Sequence, residues 1–291
     1  MVHVVFGGKA DVDSERARRG HPLTATTTKR ISRALADRRS TADPVLARTR
    51  RRVRIALRQR VGAPDLYRLL GPSGLRLADA NGFVRHLIPS AEIDELAAEF
   101  TDLKAEFETR RTAVTVPYDR FHDIEGESML LCYVLTRILQ PKTIVETGVG
   151  NGASTFFFLR ALSTNGGGVL HSFDISDNVG GYLTTADRAT WDLRVLNGRA
   201  PLRDLASRLS YLPPVDLFLH DSHHRFWYMT RELELAAAAV LSEHGVILCD
   251  DAESTFAFDE FCRDRGLEPT FVFDRTKFFG GVALSRTSAM S

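Results

Sequence analysis

Asp221 and His224 stand three residues apart in LHDSHH, and a second acid pair, Asp250-Asp251, follows the apolar run GVILC. If the two runs are neighbouring strands, three carboxylates meet at one edge of a sheet. Ionised carboxylates that close repel one another, so either some hold protons or a cation binds among them. An all-oxygen set suits a hard divalent ion such as Mg2+, which keeps positions open for water or substrate. Such an ion lowers the pKa of a bound hydroxyl and fixes its orientation. His224 lies within one turn of Asp221, and an imidazole that titrates near neutrality suits removal of the hydroxyl proton. His223 is the rival, at a neighbouring position that should point elsewhere. Two plainer readings stay open: Asp250 and Asp251 capping the next helix, as Ser254 also could, and a zinc site at HDSHH, which no cysteine or HExxH pattern supports.

A second constellation lies upstream. The run TIVET (143–147) leads into Glu146-Thr-Gly148-Val-Gly150-Asn-Gly152-Ala-Ser154 and then TFFFLRAL. Glycines between a strand and a helix let a ligand approach the backbone closely. Their GxGxG spacing is not the GxGxxG of dinucleotide binding, and donors at a helix N-terminus suit an amino-acid carboxylate as well as a pyrophosphate. Asp174 ends the next apolar run, 22 residues after Gly152, where a carboxylate can accept both hydroxyls of a ribose. In this order, the two signals point to a nucleoside-containing ligand.

The elements that must position these residues are seven strands: TIVET, GVLHSFD, LRVLN, VDLFLHD, GVILCD, PTFVFD and GGVALS. Helical stretches separate the first five, and continuous apolar strands between helices imply an α/β fold, a parallel sheet covered on both faces. The last two are divided only by RTKFF, too short for a parallel crossover, so they pair antiparallel. Before the sheet, Ile93, Leu96, Ala97, Phe100, Leu103 and Phe107 recur at helical spacing, with Ser90 as N-cap and an end near Arg111. Another helix is expected over about 126–139. Residues 1–60 hold 16 Lys and Arg against 5 Asp and Glu, leaving 22 against 32 in the remainder. The expected organisation is a basic arm (1–60), a helical extension (61–114) and a catalytic domain (115–291).

ETGVGNGAS followed by SFD resembles the first two cofactor motifs of class I S-adenosylmethionine-dependent methyltransferases, over roughly residues 115–285. The resemblance implies a doubly wound, Rossmann-like sheet of order 3-2-1-4-5-7-6 with the last strand antiparallel. It also implies that Glu146, Gly148, Gly150, Gly152 and Ser154 surround the methionine part of S-adenosylmethionine, with Asp174 on its ribose. The frame of Asp221, His224 and Asp250-Asp251 is similar to metal-dependent O-methyltransferases, both catechol O-methyltransferase and the bacterial sugar O-methyltransferases of antibiotic biosynthesis. DIEGESM (123–129) is similar to their segment before the first strand. The catechol enzyme has Lys where His224 stands; the sugar enzymes use His. On this resemblance, Asp221, Asp250 and Asp251 hold the metal, His224 is the base, and the acceptor is a sugar or polyhydroxylated small molecule.

Two other functions fit parts of the sequence. A nicotinamide-dependent oxidoreductase would share the glycine turn and strand-end acid. A nucleic-acid-binding protein would use the basic arm, although no aromatic residues are interleaved there for stacking. No apolar run reaches the length that spans a bilayer, and the N-terminus lacks signal-peptide order, so a cytoplasmic location is expected. A homo-oligomer is compatible with all of this. Cys132, Cys249 and Cys262 show no CxxC spacing and are expected as core residues.

Overall fold

Alternation within each apolar run assigns its residues to two opposite faces. Ile144, Leu217, Leu219, Val246 and Leu248 enter one hydrophobic layer, while Val145, Phe218, Ile247 and Cys249 enter the other. The period of two is that of a strand buried on both sides. The computed structural model describes residues 76–240, 245–274 and 277–284. The basic arm and the start of the helical extension lie outside them.

The strands are β1 (Arg76–Leu77), β2 (Thr143–Thr147), β3 (Val169–Asp174), β4 (Asp192–Val195), β5 (Leu217–His220), β6 (Val246–Cys249), β7 (Thr270–Asp274) and β8 (Lys277–Ala283). Their spatial order is β1-β7-β8-β6-β5-β2-β3-β4. Counted from β2, this is the expected 3-2-1-4-5-7-6, and β8 runs antiparallel to both of its neighbours. β2 pairs with β3 on one side and β5 on the other. The chain therefore reverses direction across the sheet at β2, which opens a crevice beyond its carboxyl end.

One face is covered by α1 (Ala80–Leu87), α2 (Asp94–Ala113), α3 (Gly126–Leu139) and α4 (Ala153–Asn165). Here Phe107 meets Phe156, Phe157 and Tyr182 at ring-centroid distances of 5.1–5.2 Å. Each buried phenyl contributes about 1.5–3 kcal/mol. α5 (Thr185–Ala189) precedes β4, and the other face is covered by α6 (Pro201–Leu209), α7 (Phe226–Ala239) and α8 (Ala257–Asp264). All three cysteines are free and buried. No helix among the described residues is long and apolar enough to cross a membrane.

Three details differ from expectation. α2 starts at Asp94, with Ile93 at its N-cap, because Ala91 and Ile93 turn inward into the core and Ser90 is left outside the helix. β8 begins at Lys277, paired with Asp274, so most of RTKFF is strand. Phe278 and Phe279 fill opposite layers there. β1 and α1 were not anticipated: two residues are too few to show a period, and ANGFVRHL opens on a turn-like Asn-Gly. α1 is nevertheless capped by the Asp79 carboxylate, which accepts from the Gly82 N–H at 2.7 Å. Its Phe83 packs so tightly on β8 that a Cβ at Gly281 would lie 2.5 Å from the ring.

Candidate active site

Sheet hydrogen bonding continues one residue past the strand ends. The Gly148 N–H donates to Phe173 O at 2.8 Å, Asp221 N–H to Thr147 O at 2.9 Å and Asp250 N–H to His220 O at 2.9 Å. The glycine turn, Asp221 and Asp250 therefore stand in one row at the carboxyl edge of β2, β5 and β6.

Gly148, Gly150 and Gly152 have φ of 79°, 51° and 86°, left-handed values that favour glycine. At Gly148 the constraint is also steric, since a Cβ would lie 2.0 Å from the Asp221 carbonyl oxygen. Gly148→Ala should cost about 1–2 kcal/mol for the backbone and about 1–3 kcal/mol more for the overlap, read as a lowered denaturation midpoint. Asp174 is half-buried at the end of β3 and accepts from Val149 N–H at 2.8 Å and Ser176 N–H at 3.0 Å. Its carboxylate thereby ties the turn to the strand that carries it.

Glu146 and Ser154 lie behind the turn. The fully buried Glu146 carboxylate accepts hydrogen bonds from the hydroxyls of Ser154, Thr155 (2.8 Å) and Ser172 (2.6 Å). Burial pushes it up to about 6, against the pull of those donors. Asn151, in the middle of the turn, reaches the loop before α3. It accepts from Tyr118 N–H and donates to Tyr118 O, both at 3.1 Å, and donates to Asp123 at 2.9 Å. Tyr182 completes this set through its hydroxyl on Asp123, at 2.6 Å.

His224 Nε2 lies 3.3 Å from Asp251 and 3.8 Å from Asp221, so the predicted base and two of the predicted acids do meet. Asp251 holds its place with a φ of 47°, an uncommon conformation for a residue with a side chain. Neither acid of the pair caps α8, whose N-cap is Phe256 with no side-chain hydrogen bond. Burial, reinforced by His220, pushes the His224 imidazole down to about 4. Burial and the nearby Asp250 raise Asp221 well above the usual carboxylate range, and burial raises Asp250 to about 6.

The cation among these carboxylates is Lys277. Its ammonium lies 3.4 Å from Asp250 and 3.6 Å from Asp251. Burial alone would lower its pKa, but Asp250, Asp251 and Asp221 outweigh that and hold it above the ordinary lysine value. With an ammonium inside the oxygen cluster, the expected Mg2+ site at Asp221, Asp250 and Asp251 does not fit the residues as they stand. Among the described residues, no group of three His, Cys, Asp or Glu side chains is arranged to hold a metal.

Residues 145–252, which run from the middle of β2 to just past β6, match the family model described as a methyltransferase domain. That segment is thus similar to a methyltransferase domain, and it lies in a sheet of the expected strand order. Solved structures similar to it include an O-methyltransferase from Bacillus cereus in complex with SAH, at 15% identity, covering 69% of this chain and 95% of that one, with a TM-score of 0.46. A methyltransferase from Geobacter sulfurreducens is 19% identical over 70% of this chain and 96% of that one, with a TM-score of 0.45. None of the curated proteins matches the sequence.

Several residues of the candidate site were not singled out by the sequence. Glu232 of α7 is buried and accepts from His220 Nδ1 at 2.5 Å and from Ser222 at 2.8 Å, with Thr147 as a third donor. Burial opposes its charge, yet His220 and the hydroxyl donors hold it below the usual range. His220 Nε2 and His224 Nδ1 are both buried without a hydrogen-bond partner, and the two rings stand 5.6 Å apart, edge to face. Phe121, on the loop that Asn151 holds, is 68% exposed and lies 5.9 Å from the Lys277 ammonium. Of the two aromatic residues after His224, Tyr228 packs inside, while Trp227 is exposed.

Proposed function

We propose that the chain transfers a methyl group from S-adenosylmethionine to a hydroxyl oxygen of a small molecule, a sugar or polyhydroxylated natural product. The observation that carries this reading is that the Gly148–Gly152 turn and His224 meet at the carboxyl edge of parallel strands, where the order of the strands reverses. When bound, the donor supplies an electrophilic methyl group. Asp174 would accept the ribose hydroxyls with its remaining lone pairs, and the bare backbone of Gly148–Gly152 leaves room for the methionine part.

His224 supplies the base. Glu232 is ionised and holds His220 Nδ1 at 2.5 Å, which fixes the His220 ring beside His224. His224 Nε2, which faces Asp251 and Asp221, is the nitrogen placed to take the proton of the acceptor hydroxyl. The oxygen gains the methyl group, the sulfonium leaves as a thioether, and the proton passes from His224 to solvent. Asp251 beside Nε2, with Glu232 behind His220, favours the imidazolium while it exists, against the burial that disfavours it.

Incubation with S-adenosylmethionine and a panel of hydroxylated acceptors should release S-adenosylhomocysteine. A chain that neither binds the donor in calorimetry nor releases the thioether with any acceptor is not a methyltransferase of this kind. The exposed Phe121 beside the site suits stacking against the apolar face of a sugar ring, so acceptors with such a face belong in the panel.

A further inference from the structure

Three carboxylates at the edge of β5 and β6 require positive charge, and the chain provides it from a different strand. Lys277 opens β8, which runs antiparallel to β6 with Cys249 opposite Gly280. That register carries Lys277 three residues beyond Gly280, past the end of β6 and into the space where Asp250 and Asp251 begin. The residue is almost wholly buried, at 6% exposure, an unusual place for lysine unless it is paired. Its partners are Asp250 at 3.4 Å and Asp251 at 3.6 Å, and the Phe121 ring stands over its remaining side. The second oxygen of Asp250, Oδ1, is buried with no hydrogen-bond partner, so the cluster retains unused acceptor capacity.

We propose that Lys277 is the resident cation of this site, that its ammonium takes the place and charge role of a divalent ion, and that methyl transfer here needs no metal. This rests on the methyl-transfer reading above. The ammonium has three N–H donors, so contacts with Asp250 and Asp251 leave one for the acceptor oxygen, on the side of Phe121. The proton balance is unchanged, because Lys277 stays protonated throughout and the hydroxyl proton goes to His224. A compact ammonium can hold an oxygen in position, but unlike a metal it cannot bind several acceptor oxygens at once. Adjacent hydroxyls on the acceptor are therefore not required.

Titration of Mn2+ into the full chain, followed by the electron paramagnetic resonance of the free ion, tests the proposal independently of turnover. The wild-type chain should leave the free-ion signal undiminished, while Lys277→Ala and Lys277→Met should each gain a site, binding Mn2+ at least about tenfold more tightly. Wild-type S-adenosylhomocysteine release should be unchanged by EDTA. Stoichiometric Mn2+ binding to the wild type, turnover lost in chelator and restored by Mg2+, or folded Lys277 variants that gain no ion would each overturn it. If neither variant folds, the wild-type titration and the chelator arm decide alone. Failure of the methyl-transfer reading shows separately, as absence of donor binding in calorimetry, and leaves the Mn2+ titration interpretable.

Discussion

Asp174→Ala should weaken S-adenosylmethionine binding by roughly a hundredfold or more in calorimetry. Each hydrogen bond to a charged acceptor contributes about 1.5–3 kcal/mol, and two ribose hydroxyls would lose theirs together. The same carboxylate holds Val149 N–H and Ser176 N–H, so alanine also loosens the turn that makes room for the donor. Asp174→Asn separates the two contributions. An amide oxygen can keep one backbone contact while the charge and the other contact are lost, so binding should fall less than with alanine and the denaturation midpoint should drop modestly. Donor affinity unaltered in both variants would remove Asp174 from the donor site.

His224→Ala should lower kcat by about 10²–10⁴-fold and leave donor affinity within a few-fold of wild type. The active form of His224 is neutral, and its pKa is pushed down to about 4. That form is populated above the pKa and lost as pH falls through it. The kcat/KM profile should therefore lack the limb near 6.5 of an unperturbed histidine, any fall near pH 6 coming from Asp250. Glu232→Gln, which loosens the hold on the His220 ring, should give an intermediate loss of kcat with donor binding intact. Full turnover in His224→Ala would move the base elsewhere.

The glycine turn and the acid after β3 were legible because their signals are local. Gly148, Gly150 and Gly152 declare left-handed turns by residue type, and Asp174 follows from where β3 stops. The acid cluster was legible at the level of strands, since the β5–β6 pairing puts His220 opposite Cys249 and so Asp221 beside Asp250. What filled the cluster was not. The crowding of the carboxylates pointed to protons or to a cation, and the cation was expected as an ion from solvent. RTKFF looked like a connection, which hid Lys277. The antiparallel pairing of the last two strands was itself expected, and it already implies that the start of β8 lies over the end of β6. Glu232 was masked differently: one acid among the charged and apolar residues of FWYMTRELELAAAA gives no sign that it turns inward towards His220.

The acids and the charge that balances them enter from separate parts of the chain. The segment recognised as a methyltransferase domain ends at residue 252, and Lys277 lies in the hairpin beyond it. Two chains alike through the glycine turn and both acid motifs can therefore differ in their demand for metal at the single residue that opens the last hairpin. Grouping by motif would pool them, whereas the residue at that register would sort them, and a change there would be a one-step route between the two kinds of enzyme.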